Sequence, residues 1–270
     1  MVITNNDITN KNFKKLSIQV SLSGLSFCVF DLITHKIIAH NELPLNPNQV
    51  VEEQLWKAFT TFPVLSNPYD EIIVVHDNSI NTFVPNAIFD ENFLGSYLQY
   101  NVKVFETDLF SHDAITPYDF QNVYVPYVNI NNFLLDQFET FEYCNANSIL
   151  VKKMLEQTSN QTEKEVYIHV QKEHFEIIVL KNKELLLFNS FDYQTTEDFI
   201  YYVLFTFEQL QLNPETVPLF VLGLENENGA LFQMAYKYIR HCSLLDVSKS
   251  ASVFDVEESL IRKHFILFHS

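Results

Sequence analysis

The sequence predicts an α/β protein made of two tandem domains that share one topology, each with a mixed β-sheet. The first observation is a weak internal repeat across the middle of the chain. The second is that both halves read in the same order, as hairpin, third strand, helix and buried strand. We therefore divide the 270 residues into domains at 1–160 and 161–270. Three pairs of segments carry the repeat: 16–20 with 166–170, 36–41 with 184–189, and 67–75 with 213–222.

The strands of the first half are predicted from alternating apolar and polar residues and from a run of β-branched residues. Residues 16–22 alternate apolar and polar side chains, and the pattern resumes over 27–31 after Ser23-Gly24, which predicts a hairpin. Residues 37–43 continue as a third strand. The β-branched run 72–75 is typical of a strand buried on both faces of a sheet. In the second half, the corresponding strands are predicted at 166–170, 175–180, 185–188 and 219–222.

Helix starts are predicted from capping residues. Asn46, Pro47 and Gln49 supply an N-cap, a proline at the first helical position and a capping-box partner, so a helix is predicted to start there. In the second half, Thr195 and Asp198 cap an aromatic-rich helix that continues to residue 210. The remaining predictions are a strand at 122–128, helices at 131–141, 147–156 and 230–240, and a polar hinge at 157–164.

Composition limits the partners that the chain can have. The net charge of −17 opposes binding to nucleic acid and to anionic lipid, because both rely on clustered Lys and Arg. No apolar run approaches the ~20 residues of a membrane span, and the Asn-rich N-terminus lacks the apolar core of a signal peptide. We therefore expect a cytoplasmic protein without membrane insertion. Cys28, Cys144 and Cys242 are far apart and odd in number, which favours reduced thiols.

The order of elements carries a resemblance to a known fold. A hairpin and third strand, followed by a helix and a parallel strand, is the topology of ribonuclease-H-like domains, and two tandem copies make the actin-like ATPase fold. The chain resembles a bacterial family of unknown function with this fold, and more distantly the actin-like proteins of type IV pilus assembly. The resemblance covers nearly the whole chain, and its most recognisable local segment is Phe-Val-Pro-Asn-Ala-Ile-Phe-Asp at 83–90.

The resemblance implies a nucleotide site in each half. In the actin-like family, an Asp on the first strand and a glycine-rich turn hold the magnesium ion and the phosphates. The first such site falls on residues 19–26, where Gln19 replaces the Asp and Ser21 replaces the first Gly. The second falls on residues 169–174, which contain neither Asp nor Gly. Gly223 matches one of the paired glycines that contact the nucleotide base in that family.

The candidate cofactor-binding positions are therefore vestigial ones: Ser21, Ser23, Gly24, Ser26 and Gly223. The three serines could present hydroxyl and N–H groups to a phosphate, but a hairpin turn rich in small polar residues is the favoured interpretation. No catalytic residue and no metal ligand is assigned, and no cofactor is expected. ATP with Mg²⁺ is the ligand to test.

Histidines offer few further candidates. His76-Asp77 and His112-Asp113 are interpreted as chance surface pairs, since neither lies near a nucleophile on a strained turn. His169 and His174 could face each other across a hairpin and bind a metal, but no Cys or carboxylate is placed to complete the ligand set. Metal-dependent nuclease chemistry of the ribonuclease-H type is set aside because Gln19 and His169 cannot replace the required carboxylates.

Aromatic residues are abundant. Phe, Tyr and Trp make up 14% of the chain, and residues 199–205 are apolar around most of a helical turn. A core helix buried on several sides is the favoured interpretation, and a protein interface is the alternative.

These observations leave two hypotheses about function. The first is a non-catalytic, degenerate actin-like protein that acts as a cytosolic interaction module or homodimer, with enzymatic activity disfavoured. The alternative is an enzyme that binds ATP or a phosphorylated metabolite at an atypical phosphate site, with Asp31, Asp77 or Glu225 as its metal ligand.

Overall fold

A computed structural model describes residues 11–100, 102–105, 107–158 and 163–270. Its strands form two five-stranded sheets and one three-stranded sheet. The first five-stranded sheet contains β1 (Lys14–Val20), β2 (Gly24–Asp31), β3 (Ile37–Pro44), β4 (Glu71–His76) and β8 (Glu142–Asn145) in the order β3-β2-β1-β4-β8. Strand β1 runs antiparallel to β2 and parallel to β4, as in the predicted topology. Helices α1 (Val51–Thr61) and α3 (Val128–Phe138) contribute buried side chains to its core.

The second five-stranded sheet repeats this arrangement. Its strands are β9 (Lys164–Val170), β10 (His174–Lys181), β11 (Glu184–Asp192), β12 (Leu219–Gly223) and β13 (Cys242–Leu244), in the order β11-β10-β9-β12-β13. Strand β9 is antiparallel to β10 and parallel to β12. Helices α5 (Thr196–Gln209) and α6 (Ala230–Tyr238) supply buried side chains to the core of this sheet. The prediction of one topology used twice is confirmed.

A shared irregularity shows how closely the two sheets correspond. The register of β2 with β3 shifts between Val29 and Phe30, so that Ile38 is an extra residue. The register of β10 with β11 shifts between Val179 and Leu180, so that Leu186 is extra. Ile38 and Leu186 are equivalent positions of the sequence repeat, and each is a β-bulge.

The three-stranded sheet is an addition that the sequence did not predict as a sheet. It contains β5 (Asn81–Pro85), β6 (Ser111–Ala114) and β7 (Phe120–Tyr124), in the order β5-β7-β6. Of these, only β7 overlaps a predicted strand. The other helices are α2 (Leu94–Leu98), α4 (Ala146–Gln157), α7 (Ser248–Phe254), α8 (Glu258–Lys263) and α9 (Phe265–Phe268).

By its internal contacts the chain forms two compact units. One contains the described residues up to His76 together with Tyr127–Cys144, and the other contains Asp77–Pro126 and Asn145–Ser270. The predicted domain boundary, at 160 and 161, lies outside the described residues, as do positions 159–162 of the predicted hinge. The division into domains at 1–160 and 161–270 stays a prediction.

The two predicted helix starts had different outcomes. Thr195 and Asp198 form the capping box of α5, in which Asp198 N–H donates to Thr195 Oγ1 at 3.1 Å. Helix α1, however, begins at Val51 rather than near Pro47. Asn46 Oδ1 instead accepts from Asn48 N–H at 3.0 Å, which makes an Asx turn before the helix.

None of the helices in the described ranges is long and apolar enough to cross a membrane.

Candidate functional site

The first predicted phosphate loop is the tight turn between β1 and β2. Ser21 N–H donates to Gly24 O at 2.8 Å, and Ser23 N–H donates to Ser21 Oγ at 3.2 Å. The Ser21 hydroxyl donates to Gly24 O at 3.3 Å. The structure thus brings Ser21, Ser23 and Gly24 together, with their polar groups bonded inside the turn. Ser26 lies next to it on β2, opposite Gln19.

The backbone geometry requires glycine at position 223 but not at position 24. A Cβ on Gly24 would meet Leu43 O at 3.7 Å, which is ordinary van der Waals contact. Gly223 ends β12 with a φ of +99°, and a Cβ there would lie 2.1 Å from Val170 O. The close approach of β12 to β9 therefore demands glycine at 223, whether or not a ligand binds. The role of these residues in binding stays a prediction.

The second predicted phosphate loop is the turn between β9 and β10. Gln171 N–H donates to His174 O at 2.9 Å, and the Tyr193 hydroxyl donates to Gln171 O at 2.6 Å. The Gln171 side-chain amide donates to Asp77 Oδ1 at 3.2 Å. The main-chain and side-chain groups of Gln171 are thus engaged within the protein.

A buried carboxylate lies between two imidazoles beside this turn. Glu176 on β10 is 1% exposed. Its Oε2 accepts from His169 Nδ1 at 2.8 Å, and its Oε1 forms an ion pair with His174 Nε2 at 3.0 Å. We call these three residues the His–Glu–His cluster. Strand periodicity does not predict this cluster, although Glu176, a charged residue within the apolar strand 175–180, is a signal for it.

Electrostatics fixes the charges of the cluster. Burial alone would raise the pKa of Glu176, but its hydrogen bond to His169 and its contact with His174 lower that pKa. Burial lowers the pKa of His174, but the Glu176 carboxylate, with Asp77 and Asp192, outweighs burial and raises it to about 9. At neutral pH, His174 is therefore cationic and Glu176 is anionic.

The cluster differs from the metal site that was considered for His169 and His174. A carboxylate is present after all, but each of its oxygens faces a different imidazole. Across the described part of the chain, no three His, Cys, Asp or Glu side chains are arranged to hold a metal ion. The contacts within the cluster are those of an internal ion pair.

The surface interpretation of His76-Asp77 was wrong for the histidine. His76 ends β4 and is fully buried. Its Nδ1 accepts from Tyr127 N–H at 3.2 Å, which leaves Nε2 to donate to Asn131 Oδ1 at 2.9 Å. Burial lowers the pKa of His76 to about 4, against the opposing effect of the hydrogen bond that His76 donates to Asn131, so the ring is neutral at pH 7.

This buried histidine makes stability depend on acid pH. The unfolded chain protonates His76 near its ordinary pKa of about 6.5, whereas the folded chain does so near 4. We therefore expect His76 to contribute about 3 kcal/mol above pH 6.5, and this contribution is lost as the pH falls through 4. Urea unfolding at pH 7 and pH 4.5 measures it. The variant His76→Gln should lose less stability over this interval than the parent, and an equal loss would contradict the assignment.

The surface interpretation of His112-Asp113 was wrong for Asp113, which is half-buried, whereas His112 is partly exposed and contacts the exposed Glu91. Asp113 on β6 accepts from Tyr124 Oη at 3.1 Å, from Asn145 N–H at 2.8 Å and from the Ser148 hydroxyl. Burial raises the pKa of Asp113, and these hydrogen bonds oppose the rise. The carboxylate lies at the N-terminus of α4, where it accepts from the N–H of the N-cap residue Asn145. This bonding joins β6 to α4 as part of the structure.

Two other acids proposed as metal ligands also have local partners. Asp31 Oδ1 accepts from Ile33 N–H at 2.9 Å and Thr34 N–H at 2.8 Å in the turn after β2. Glu225 accepts from Asn226 N–H at 3.0 Å and, at the start of α6, from Leu231 N–H at 3.2 Å.

Comparison with known proteins places the chain in a family. The model of the family described as "Protein of unknown function (DUF3822)" matches residues 3–242. The chain belongs to this family. No curated protein is detectably similar to it in sequence.

Solved structures support the fold of this DUF3822 protein. A Bacteroides thetaiotaomicron protein with an actin-like ATPase fold and unknown function is 22% identical, with a TM-score of 0.81, over 92% of this chain and 98% of that one. A chain of the PilM-PilN type IV pilus biogenesis complex is 13% identical, with a TM-score of 0.60, over 94% of this chain and 96% of that one. The predicted actin-like ATPase fold is confirmed.

The aromatic helix of this DUF3822 protein has two different faces. Phe199, Val203 and Phe207 of α5 are buried in the core of the second sheet. Tyr201 and Phe205 are 61% and 43% exposed, and their rings stack with centroids 6.1 Å apart. The helix therefore contributes both to the core and to an exposed aromatic pair.

Proposed function

We propose that the chain is a non-catalytic protein of the actin-like ATPase fold that acts through protein contact, as an interaction module or homodimer. The observation that carries this proposal is the His–Glu–His cluster beside the second predicted phosphate loop. A bound phosphate needs cations and hydrogen-bond donors. Here the His169 and His174 donors face Glu176, and the Gln171 amide is bonded to Asp77. The buried Glu176 carboxylate also repels an anion.

The first loop supports the same interpretation. A phosphate loop presents N–H and hydroxyl groups outward, whereas the Ser21 N–H and hydroxyl groups are bonded to Gly24 O. Gln19 stands where the resemblance places a metal-binding Asp, and an amide carries no charge to balance a magnesium ion. Gly223 has a backbone reason to be glycine.

Protein contact is the mode of action that the surface favours. Exposed aromatic side chains dominate the binding energy of many interfaces, and Tyr201 and Trp56 are 61% and 59% exposed. A chain of the PilM-PilN complex, which is an assembly of proteins, is similar in structure. The net charge of −17 disfavours nucleic acid. The proposal places this activity in the cytoplasm.

Thermal unfolding with nucleotide tests the loss of the phosphate sites. A ligand at 100 times its Kd stabilises a protein by about 2.7 kcal/mol, which is several degrees for a chain of this size. We expect millimolar Mg-ATP to give no such shift and no hydrolysis above the background. A reproducible rise in Tm that disappears in Gly24→Val would contradict the proposal. The Cβ of that variant meets only ordinary contacts.

Association is measured separately. Sedimentation of the purified chain at micromolar concentration distinguishes a homodimer from a monomer. Chemical cross-linking in native cells, followed by mass spectrometry, identifies partners. A monomer that cross-links to no protein would contradict action through protein contact.

A further inference from the structure

A groove in the second unit runs between two strand edges. Strand β11 is outermost in its five-stranded sheet, and β5 is outermost in the three-stranded sheet. Six consecutive residues, 185–190, line one wall, and Asn81, Thr82 and Phe83 line the other. Successive side chains of a strand point to opposite faces, so a groove lined by consecutive residues lies along the edge, where the main chain is presented. The volume of the groove is about 730 Å³.

Main-chain groups of β11 are directed towards this groove. Tyr193 N–H donates to Glu173 O, across the hairpin, at 3.1 Å. Along an antiparallel strand, the N–H and C=O groups of successive residues point alternately towards and away from the neighbouring strand. Because those of Tyr193 point towards β10, the N–H and C=O groups of Phe188 and Ser190 point away from it. Ser190 N–H donates to the side chain of its own neighbour, Asn189 Oδ1, at 2.9 Å. An incoming strand can replace that local bond.

The equivalent edge of the first sheet is protected. Leu45 N–H donates to Ser23 O at 2.9 Å, so the same alternation directs the main chain of Glu42 and Pro44 away from β2. Proline has no N–H to donate, and a proline with a charged neighbour is typical of an edge that resists pairing. The repeat-equivalent positions in β11 are Ser190 and Asp192.

We propose that the groove binds an extended segment of a partner protein, which adds as a strand to the edge of β11. This inference rests on the proposed function and names the chemistry of its partner. Phe83 and Phe188 meet edge to face with centroids 4.9 Å apart, and they offer apolar contact to alternate side chains of the segment. Asp192, at one end of the groove, and the net charge of −17 select a segment that carries Lys or Arg.

Selection from a phage library of random linear 12-residue peptides, against the full chain, tests the proposal. We expect the enriched peptides to be basic, with apolar residues at alternate positions. Their affinity, measured by fluorescence anisotropy, should fall at least tenfold in Ser190→Pro, which removes one outward N–H without breaking a bond to β10. Ser190→Ala keeps that N–H and should change affinity less than twofold. Glu42→Pro makes the same change on the first sheet and should also have no effect.

Hydrogen exchange gives an independent readout. Peptide binding should slow exchange of the Phe188 and Ser190 amides in the parent chain. Failure to enrich any peptide, or equal binding to the parent and to Ser190→Pro with an unchanged Tm, would overturn the proposal. A dimer that Ser190→Pro converts to a monomer would also overturn it, and would assign the edge to a second copy. Partners that cross-link equally to Ser190→Pro would leave the proposed function intact and reject only this groove.

Discussion

The variant Glu176→Ala is expected to lose about 3–5 kcal/mol of unfolding free energy, because the largely buried His169 and His174 rings lose the carboxylate that pairs with them. For a chain of 270 residues this corresponds to a fall in Tm of roughly 10 °C. Differential scanning calorimetry at pH 7 measures it. The effect is large since the ion pair is lost and the N–H groups of both rings lose their acceptor in a buried site.

Two controls identify the mechanism of that loss. Glu173→Ala removes an exposed carboxylate from the same turn and should change stability by no more than about 0.5 kcal/mol. In the parent chain, the raised pKa of His174 supplies stability that is complete below pH 6.5 and is lost as the pH rises through about 9. Glu176→Ala should abolish that alkaline loss. A variant that keeps both the parent Tm and the parent pH profile would contradict the ion pair.

Gly223→Ala is expected to destabilise the chain by about 3–5 kcal/mol, the sum of a strained positive φ and overpacking in a filled site. The added Cβ would lie 2.1 Å from Val170 O and 2.8 Å from Val170 N, both of which are main-chain atoms. Strand β12 must therefore separate from β9 to accommodate it. Urea unfolding at pH 7 measures the change.

The matched control is the other glycine of the candidate site. In Gly24→Ala the new Cβ has only ordinary contacts, the nearest being Leu43 O at 3.7 Å, so we expect a change below about 1 kcal/mol. Equal stability of the Gly223 and Gly24 variants would show that the geometry at the end of β12 does not require glycine.

Local patterns predicted the duplicated fold because they recur at matched positions. Alternation over 16–22 and 27–31, and the β-branched run 72–75, each gave a strand in the expected order. The single-residue bulges at Ile38 and Leu186 lie at equivalent positions of the repeat. The alternation of apolar and polar residues alone does not predict a bulge.

The misplaced start of α1 shows where local signals compete. Asn46, Pro47 and Gln49 satisfy the pattern of a capped helix, but the same residue types also form Asx turns. The Gln54 side chain settles the choice. Its Oε1 accepts from Asn46 N–H at 2.7 Å, and its Nε2 donates to Asn46 O at 3.0 Å. These two hydrogen bonds join the Asx turn to Gln54, the fourth residue of α1.

Tertiary contacts account for the parts of the candidate site that the sequence missed. His169 and His174 were recognised as neighbours across a hairpin, but the register that puts Glu176 opposite His169 is a property of the folded ladder. His76 was taken for a surface residue because its partners, Tyr127 and Asn131, are more than 50 positions away. Short-range patterns cannot reveal such contacts.

The three-stranded sheet was missed for a related reason. Strand β6 has the sequence Ser-His-Asp-Ala, which has no apolar alternation, and its place is fixed by pairing with β7. Asp113 of this strand also binds Asn145 N–H and Ser148 Oγ at the start of α4. Long-range hydrogen bonds, rather than strand propensity, therefore define this sheet.

Equilibrium dialysis of the full chain against labelled ATP with Mg²⁺ tests most directly whether both phosphate loops have lost their ligand. We expect no saturable binding up to millimolar ATP. In the first loop Ser21 is hydrogen-bonded within the turn, and the His–Glu–His cluster lies beside the second loop. Saturable binding of one ATP per chain that is weakened by Gly24→Val would contradict the account and would favour a nucleotide-binding enzyme.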